Sequence, residues 1–454
     1  MKTLILGGGL AGLSCSYHLG HENCLIIDRN AYLGGHAATY QRDGAYWDEG
    51  PHVSFTKHSD VRELLTWSAV GDVLDYPTDV GNYFAGHWIP HPAQSHLHAV
   101  PEPLAGQCYK DFVVSQESDN KHQDLYNYQQ WLDEAFGITF SRTFPHAYTR
   151  KYWTCDPSVL ATDWVGGRIF KPDLETVAAG YEGKPKRNTH YISSVRYPAD
   201  GGFGAFTTGL SQGANVVYNE VVSANLVAKS VQLASGECYV YDHLINTIPL
   251  DQFVLLLPDV PSEVKVAASG LRCTSLLLVN ILGLQESFNP CHWLYVYDED
   301  KYSTRITQTH LLAPSNTPKD LAGIQVEVYS SPYRPFRESH QDIAAKVVDE
   351  VLCMGLITDV KNIHYHFVPY ANIIFDHDRR KCQDAILSYL SGFGLVREAD
   401  DLEPITDWKK PHNFKSKPEL LLAGRFSQWK YFWSDDCILR GRQIASAFNG
   451  SSNG

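Results

Sequence analysis

Short apolar runs, a glycine-rich stretch and polar segments alternate along the first fifty residues. Residues 2–6 form an apolar run that predicts a strand, and a helix is expected to begin near Leu10. A second apolar run, at residues 24–27, predicts another strand that ends in Asp28. Two short apolar strands on either side of a helix are typical of a βαβ unit in a parallel sheet.

Further along the chain, the pattern changes from helical to strand-like and back. Residues 100–150 are polar and helical, with apolar side chains such as Leu132 and Phe136 at helical spacing. Strand-like apolar runs follow at residues 216–241, 244–248, 276–282, 324–329 and 420–422. Helices are expected at residues 343–354, near residues 384–390 and from about Cys437.

The turn between the first predicted strand and helix has the pattern G-x-G-x-x-G, at Gly7, Gly9 and Gly12. Glycines permit a tight turn and a close backbone approach, and the helix N-terminus offers free N–H groups to a pyrophosphate. Asp28 follows sixteen residues after the last glycine, where its carboxylate can accept hydrogen bonds from a ribose. The unit therefore predicts a dinucleotide site that uses Gly7, Gly9, Leu10, Ala11, Gly12 and Asp28.

Length, charge and cysteine content exclude several other classes of protein. A chain of 454 residues can bury two or three hydrophobic cores. Its formal charge of −13 argues against a nucleic-acid surface, so an anionic substrate has to be held by a few local arginines. Ten cysteines without a C-x-x-C pair indicate neither a metal site nor a redox dithiol. No apolar stretch reaches membrane-spanning length, so we expect a cytoplasmic protein that binds no membrane; its oligomeric state stays open.

A second glycine pair indicates which dinucleotide the chain binds. Gly34 and Gly35 follow Asp28 and precede an extended segment at residues 43–48. This arrangement resembles the flavoprotein superfamily of amine oxidases, protoporphyrinogen oxidase and UDP-galactopyranose mutase, in which such a turn lies against FAD. The resemblance implies FAD as the cofactor and adds these cofactor-binding residues: Arg29, Gly34, Gly35, His36, His52, Val222, Gly424, Arg425, Asp435 and Asp436.

The resemblance also implies that the predicted elements form an α/β fold with three parts. The first is a discontinuous Rossmann-like FAD-binding domain, expected at residues 1–75, 200–255 and 385–454. The second is a substrate-binding domain built on an antiparallel sheet, expected at residues 76–99, 151–199 and 256–384. The third is a helical insertion at residues 100–150.

Several separated motifs resemble those of UDP-galactopyranose mutases in particular. Gly50-Pro51-His52 is similar to a loop that lies over the flavin in that family, and Pro92-Ala93-Gln94 is similar to its Pro-x-Gln. The remaining matches are residues 148–153 followed by Asp156 and Pro157, Arg168, residues 304–307, Glu327, Tyr329 and residues 424–431. The matches follow the order of the family's motifs and span most of the chain.

The resemblance implies a flavin-dependent mutase that interconverts the pyranose and furanose forms of a nucleotide-linked sugar, as in polysaccharide biosynthesis. N5 of reduced FAD acts as the nucleophile on the anomeric carbon, with no net redox change. NADPH or NADH is the implied reductant, and the substrate is expected to be UDP-linked. The implied catalytic residues are His52, Arg305 and Arg425.

The resemblance also implies a set of substrate-binding residues, namely Gln94, Trp153, Arg168, Arg305, Tyr329, Tyr370, Trp429 and Tyr431. Arginines suit a diphosphate because the guanidinium is planar, always charged and able to bind bidentately. Taken singly, each arginine could instead be a surface ion-pair residue. Trp153 could stack on a uracil ring or pack in a core.

Three departures from the family's motifs indicate a changed sugar pocket. Thr154-Cys155 stands where the family has a glycine, Phe432-Trp433-Ser434 replaces more polar residues, and Tyr370 is the candidate for the family's late tyrosines. The substrate could therefore be a nucleotide-linked sugar other than UDP-galactose. The alternative is an FAD-dependent oxidoreductase of the amine oxidase or protoporphyrinogen oxidase type, which takes a hydride from a C–N or C–C bond.

Overall fold

The computed structural model describes residues 2–117, 125–185, 194–285, 290–408 and 417–450. In these ranges the strands are β1 (Thr3–Leu6), β2 (Cys24–Asp28), β3 (Thr39–Arg42), β4 (Ala45–Asp48), β5 (Val73–Pro77), β6 (Val80–Phe84), β7 (His87–Pro90), β8 (Ser194–Pro198), β9 (Val216–Tyr218), β10 (Val221–Asn225), β11 (Ser230–Leu233), β12 (Cys238–Val240), β13 (His243–Asn246), β14 (Cys273–Gln285), β15 (Trp293–Val296), β16 (Arg305–Gln308), β17 (Leu321–Ser330), β18 (Ile357–Ile373) and β19 (Leu420–Leu422). The α-helices are α1 (Leu10–Leu19), α2 (Ser59–Ser68), α3 (Leu104–Glu117), α4 (Tyr128–Phe136), α5 (Ile138–Thr143), α6 (Pro145–Tyr152), α7 (Leu174–Tyr181), α8 (Thr208–Ser211), α9 (Leu250–Leu255), α10 (Ser262–Gly270), α11 (Thr309–Leu312), α12 (His340–Cys353), α13 (Arg379–Ser391), α14 (Arg425–Gln428) and α15 (Ser434–Gly450).

A five-stranded parallel sheet carries the glycine-rich turn. Its order is β19-β13-β1-β2-β9, and Thr3 of β1 lies opposite both Cys24 of β2 and His243 of β13. The strands are short apolar runs because both faces of the sheet are covered, and Ile5 and Leu6 are fully buried. Since β1 is central, its glycine turn lies at the carboxyl edge of the sheet, where open α/β folds bind ligands.

The first and last helices pack against each other behind this turn. Gly441 of α15 faces the backbone of α1, and a Cβ at that position would collide with Ser14. The Ser14 hydroxyl donates to the Ile438 carbonyl at 2.8 Å. Helix α15 begins at Ser434, earlier than expected, because acidic residues fill its first turn and favour the positive end of the helix dipole.

A seven-stranded sheet forms the second layer, in the order β18-β14-β17-β16-β15-β6-β7. All of its pairs are antiparallel except β15 with β6. Helix α12 covers one face with Ile343, Val347 and Val351, which are buried and lie at helical spacing. Glu327 and Tyr329 of β17 belong to the opposite face, which lines a cavity.

The residues with the helical pattern at 100–150 form α3 to α6, apart from residues 118–124, which lie outside the described ranges. Phe112, Leu132, Phe136 and Phe144 are buried in one core between these helices. Parallel sheet, antiparallel sheet and helices together confirm the predicted α/β fold class. The domain boundaries stay predictions.

Candidate active site

One large cavity, of about 1110 Å³, lies between the two main sheets and the helical insertion. Gly9 lines it from the parallel sheet, Glu327 lines it from the antiparallel sheet, and Tyr128 and Phe136 line it from the insertion. All three predicted parts of the chain therefore contribute walls to the same space.

The glycine-rich turn has the geometry that a bound pyrophosphate requires. Gly7 has φ +99°, a conformation that favours glycine. A Cβ on Gly9 would meet nothing closer than 3.8 Å, so the turn leaves room for a ligand. Gly7, Gly9, Leu10 and Ala11 line the cavity. Gly12 does not line it, and instead allows α1 to pack against the Gly7 carbonyl.

The second glycine pair packs directly on the first turn. Gly34 and Gly35 have φ +108° and +54°, and a Cβ on Gly35 would lie 2.9 Å from Gly9 Cα. Asp28 holds this turn together, because its carboxylate accepts from the N–H of Gly8 at 2.6 Å and of Asn30 at 2.7 Å. The predicted residues Asp28, Arg29, Gly34, Gly35 and His36 all line the cavity.

Arg305 and Glu327 are opposite each other on β16 and β17 and form a bidentate ion pair. Nε and Nη2 of Arg305 each donate to Glu327 at 2.7 Å, and the Tyr329 hydroxyl donates to the same carboxylate at 2.8 Å. Burial opposes the charge of Arg305, but Glu327 outweighs burial and raises the Arg305 pKa well above its ordinary value. Arg305 is thus a fixed cation of the cavity with its charge largely offset.

Arg425 has different surroundings. It follows Gly424, whose φ of +99° turns the chain from β19 into α14. Its Nε donates to the Phe432 carbonyl at 2.6 Å and its Nη1 to the Ala371 carbonyl at 3.4 Å. Within the described part of the chain, no carboxylate forms an ion pair with Arg425. Its charge is therefore the one most available to an anionic ligand in the cavity.

Arg168 lies in a one-turn 3₁₀ helix between α6 and α7. Its guanidinium carbon is 3.5 Å from the ring centroid of Trp433 and 5.5 Å from that of Tyr431. Its Nη2 donates to Asp436 Oδ2 at 3.2 Å. The structure therefore brings Arg168, Arg305 and Arg425 to one cavity from three separate elements.

Most of the other predicted substrate residues also line the cavity, namely Gln94, Trp153, Tyr329, Tyr370 and Tyr431. Trp153 is only 5% exposed and packs edge to face against Trp164, so it is part of both the core and the cavity wall. The Tyr370 hydroxyl donates to Asp251 at 2.7 Å.

Four further predicted site residues do not reach the cavity. Trp429 is fully buried in the hydrophobic core, and Val222 points outward while its neighbour Val221 lines the cavity. Asp435 and Asp436 occupy the first turn of α15 without lining the cavity. Asp436 instead accepts hydrogen bonds from the N–H of Trp433 and the indole of Trp408. Side-chain direction, which a motif match does not specify, keeps these four residues out of the cavity wall, and their roles in binding stay predictions.

His52 is neutral at physiological pH. Burial lowers the pKa of its imidazole to about 4, and the nearby cation Arg425 acts in the same direction. Its Nδ1 lies 2.8 Å from the Gly50 carbonyl, so Nδ1 carries the proton and Nε2 is an acceptor. His52 lines the cavity and can therefore accept, but not donate, a hydrogen bond through Nε2.

Tyr148 is a site residue that was not among those predicted from the sequence. Tyr148 of α6 lines the cavity, and its hydroxyl is buried without a hydrogen-bond partner in the described residues. Burial raises the pKa of this hydroxyl well above its ordinary value, so it remains protonated. Tyr148 is the first residue of the motif at residues 148–153, and this was the sequence signal that could have identified it.

Glu49 is a second site residue that was not predicted from the sequence, and it links two layers of the fold. Its carboxylate lies 3.5 Å from Nδ1 of His36 and 3.7 Å from Nε2 of His366 on β18. Burial opposes ionisation of Glu49, but the two neighbouring histidines outweigh burial and lower the Glu49 pKa to about 2. All three residues line the cavity. In the part of the chain that the structure describes, no cluster of ligating side chains could hold a metal ion.

The residues around the glycine turn fit an FAD molecule. The open face of Gly9, the N-terminus of α1 and the Asp28 carboxylate supply the environment for a pyrophosphate and a ribose. Ser434 and Cys437 of α15 line the same cavity from the other end of the chain. The cavity volume exceeds what most small-molecule sites provide, as a dinucleotide together with a substrate requires.

The family model for flavin containing amine oxidoreductases matches residues 10–447, which is nearly the whole chain. The chain belongs to this family. It is therefore a flavin enzyme, and the cofactor prediction of FAD is supported by the family and by the residues of the turn.

Curated relatives match over a short segment. A 15-cis-phytoene desaturase of Synechococcus elongatus is 31% identical over 96 residues, which is 18% of this chain and 20% of that protein. The chloroplastic desaturase of Narcissus pseudonarcissus is 30% identical over 79 residues, covering 17% of this chain and 14% of the relative. The chain thus spans a fifth or less of the length of these relatives.

Solved structures match over the whole fold. A reduced UDP-galactopyranose mutase superposes with a TM-score of 0.87 at 20% identity, covering 100% of this chain and 96% of the other. A candidate protoporphyrinogen oxidase from an Exiguobacterium species gives 0.72 at 14% identity, covering 98% of each chain. The predicted resemblance to this flavoprotein superfamily is confirmed at the level of fold. Of the described helices, none is long and apolar enough to cross a membrane.

Proposed function

We propose that the chain is a flavin-dependent mutase that interconverts the pyranose and furanose forms of a nucleotide-linked sugar. FAD, reduced by NADPH or NADH, supplies the nucleophile at N5, and the reaction has no net redox change. The substrate is proposed to be UDP-linked and the reaction cytoplasmic. The observation that carries the proposal is the convergence of Arg168, Arg305 and Arg425 on the cavity that contains the dinucleotide turn.

These arginines bind and stabilise a diphosphate leaving group. Arg425 has no carboxylate partner among the described residues, so its full charge faces the anion. Arg305 and Arg168 add planar N–H donors, and their charges are offset by Glu327 and Asp436 respectively. Because Glu327 and Asp436 partly neutralise these arginines, the buried cations are stable before a ligand enters. Fixed donors aimed at a departing anion lower the barrier to its departure.

Two neutral groups orient the remainder of the substrate. The Tyr148 hydroxyl has almost no exposed surface and no partner in the described residues, so we propose that a small rotation of the side chain lets it donate to a phosphate or sugar oxygen when the substrate binds. His52 Nε2 is available to accept a hydrogen bond from a sugar hydroxyl or from the cofactor. Aromatic walls formed by Tyr152, Trp153 and Tyr431 exclude water from the reaction.

The alternative is an FAD-dependent oxidoreductase of the amine oxidase or protoporphyrinogen oxidase type. The observation that favours it is the apolar wall of the insertion, where Leu132, Phe136 and Phe140 line the cavity. Such a wall suits a substrate with an apolar part, which a diphosphate sugar does not have.

Anaerobic turnover separates the two functions. The FAD-loaded protein is reduced with dithionite under argon and given UDP-galactopyranose or a panel of nucleotide sugars, and products are identified by NMR. Ring-contracted product from the reduced protein, and none from the oxidised protein, is expected. Turnover restricted to the oxidised protein, with release of hydrogen peroxide, would overturn the mutase proposal and support the alternative.

A further inference from the structure

We propose that Trp433 and Asp436 form a receptacle for Arg168 in which the two residues have different roles. The Trp433 ring positions the guanidinium for binding a phosphate, whereas Asp436 is the resting partner with which the anion competes. The inference rests on the proposed function, in which Arg168 is one of the phosphate-binding groups. Trp433 is also one of the residues by which this chain departs from the mutase motifs, so the receptacle is a feature of this protein's own sequence.

The indole ring provides the floor of the receptacle. The guanidinium carbon of Arg168 lies 3.5 Å from the Trp433 ring centroid, and Phe55 packs edge-on against the same indole at 4.8 Å. The Arg168 side chain is 10% exposed. A cation held over an indole face with so little water is in the stronger range of cation–π contacts.

Asp436 provides the wall, and it is fixed independently of Arg168. Its Oδ2 accepts from the N–H of Trp433 at 2.8 Å, and its Oδ1 accepts from Nε1 of Trp408 at 2.7 Å. The bond from Arg168 Nη2 to Oδ2, at 3.2 Å, is the longest of the three. If an anion replaces Asp436 as the partner of Arg168, the carboxylate therefore keeps two hydrogen bonds, which lowers the cost of the exchange.

The remaining donors of Arg168 are available for the anion. Its Nε and Nη1 have no hydrogen-bond partner among the described residues, and Arg168 lines the cavity. Nη2 carries two N–H groups and Asp436 takes one of them. A guanidinium that stays stacked on Trp433 therefore keeps one edge, formed by the second Nη2 N–H with either Nε or Nη1, for two phosphate oxygens. Without the indole, a long side chain on a short 3₁₀ turn would have to be ordered by the ligand itself, which weakens binding.

The test measures binding of inorganic pyrophosphate and of UDP to the FAD-loaded protein by isothermal titration calorimetry. Trp433→Leu keeps an apolar side chain but removes the π face, whereas Trp433→Phe retains a weaker one. We expect Trp433→Leu to weaken pyrophosphate binding about tenfold or more and Trp433→Phe to weaken it less. Trp67→Leu is the matched control, because Trp67 is 54% exposed and does not line the cavity.

A double-mutant cycle separates positioning from general damage. In an Arg168→Gln background, Trp433→Leu should change pyrophosphate affinity by less than about twofold, since the stacked cation is gone. Equal losses with and without Arg168, or no loss in the single variant, would overturn the inference. If Trp433→Leu fails to retain FAD, the cycle is run with Trp433→Phe and the same criterion applies.

Asp436→Asn tests the other half of the receptacle. The amide oxygen replaces one of the two oxygens that accept from Trp433 and Trp408, and the amide carries no negative charge to compete with the anion for Arg168. Pyrophosphate should therefore bind about threefold tighter or more. Weaker binding would overturn the competing role of Asp436. Trp433-dependent pyrophosphate binding without any UDP binding would leave this inference standing and overturn the nucleotide-sugar proposal. Wild-type protein that binds neither probe would overturn both.

Discussion

Arg425 differs from the other two cavity arginines in its partners. Arg305 is paired with Glu327 and Arg168 with Asp436, whereas Arg425 donates to two backbone carbonyls. Removal of Arg305 would leave a buried carboxylate without its cation, so loss of binding and loss of stability would occur together. Removal of Arg425 leaves no such charge, which makes it the cleaner probe of the anion site.

We expect Arg425→Ala to weaken UDP binding by about 2 kcal/mol, the usual cost of losing a charged hydrogen-bond partner. The affinity is measured by calorimetry on FAD-loaded protein, with flavin absorbance confirming that the cofactor is retained. Arg442→Ala serves as a control, because Arg442 pairs with Asp60 outside the cavity. Unchanged UDP affinity in Arg425→Ala would remove this residue from the site.

Thr154 is held in an unfavourable backbone conformation. Its φ is +60°, where a β-branched side chain is strained, and this is the place at which the mutase motif has a glycine. Its hydroxyl compensates in part, because it lies 2.6 Å from the Trp153 carbonyl, to which it can donate, and 2.6 Å from Ser331 Oγ.

Two substitutions separate backbone strain from the lost hydroxyl. Thr154→Gly and Thr154→Ala both remove the hydrogen bond, but glycine accepts a positive φ while alanine does not. Thr154→Gly should therefore be more stable than Thr154→Ala by about 1 kcal/mol in urea unfolding monitored by flavin fluorescence. Equal stabilities would show that the conformation carries no strain.

At the scale of elements, Lys151 ties the helical insertion to the antiparallel sheet. Its Nζ, on α6, donates to the carbonyls of Val296, Asp298 and Ser303 at 3.0, 2.7 and 2.7 Å, and its side chain is almost fully buried. These carbonyls belong to the last residue of β15 and to the connection from β15 to β16, which leads into Arg305. The lysine of the motif at residues 148–153 is thus a structural tether.

Lys151→Met should destabilise the protein by about 2–4 kcal/mol, because three buried carbonyls lose their hydrogen-bond donor. Urea unfolding of the FAD-loaded protein measures the change. Lys361→Met is the matched control: Lys361 forms an exposed pair with Asp359, so its loss should cost about 0–1 kcal/mol. Equal costs for the two variants would contradict the tether.

At the scale of the whole molecule, the cavity joins segments that are far apart in the sequence. Gly9 and Gly34 belong to the first part of the chain, whereas Gly424 and Ser434 come from the last. A ligand that contacts all of them connects the parallel sheet with the final helix. Cofactor binding and global stability are therefore coupled.

Removal of FAD should lower the melting temperature. At a free FAD concentration about a thousand times its dissociation constant, binding to the folded state stabilises by about 4 kcal/mol. Differential scanning fluorimetry of apoprotein titrated with FAD should show a melting temperature that rises with the logarithm of FAD concentration. A melting temperature independent of FAD would contradict a site that spans the fold.

The dinucleotide turn was predictable because its parts are local. Gly7, Gly9, Gly12 and Asp28 lie within one βαβ unit, and the conformational freedom of glycine and the free N–H groups of a helix N-terminus follow from short-range geometry. The fold class followed from the same kind of information, because apolar periodicity reports which faces of strands and helices are buried. The order of the motifs along the chain then related Arg168, Arg305 and Arg425 to one family.

The sequence by itself thus determined the turn, the cofactor class and the types of residue available for an anion. Tertiary structure alone decided how those residues are used: the register of β16 and β17 pairs Arg305 with Glu327, and the core takes Trp429 out of the site. It also stacked Arg168 on Trp433, far away in the sequence. Register and side-chain direction depend on long-range packing, which no local pattern encodes.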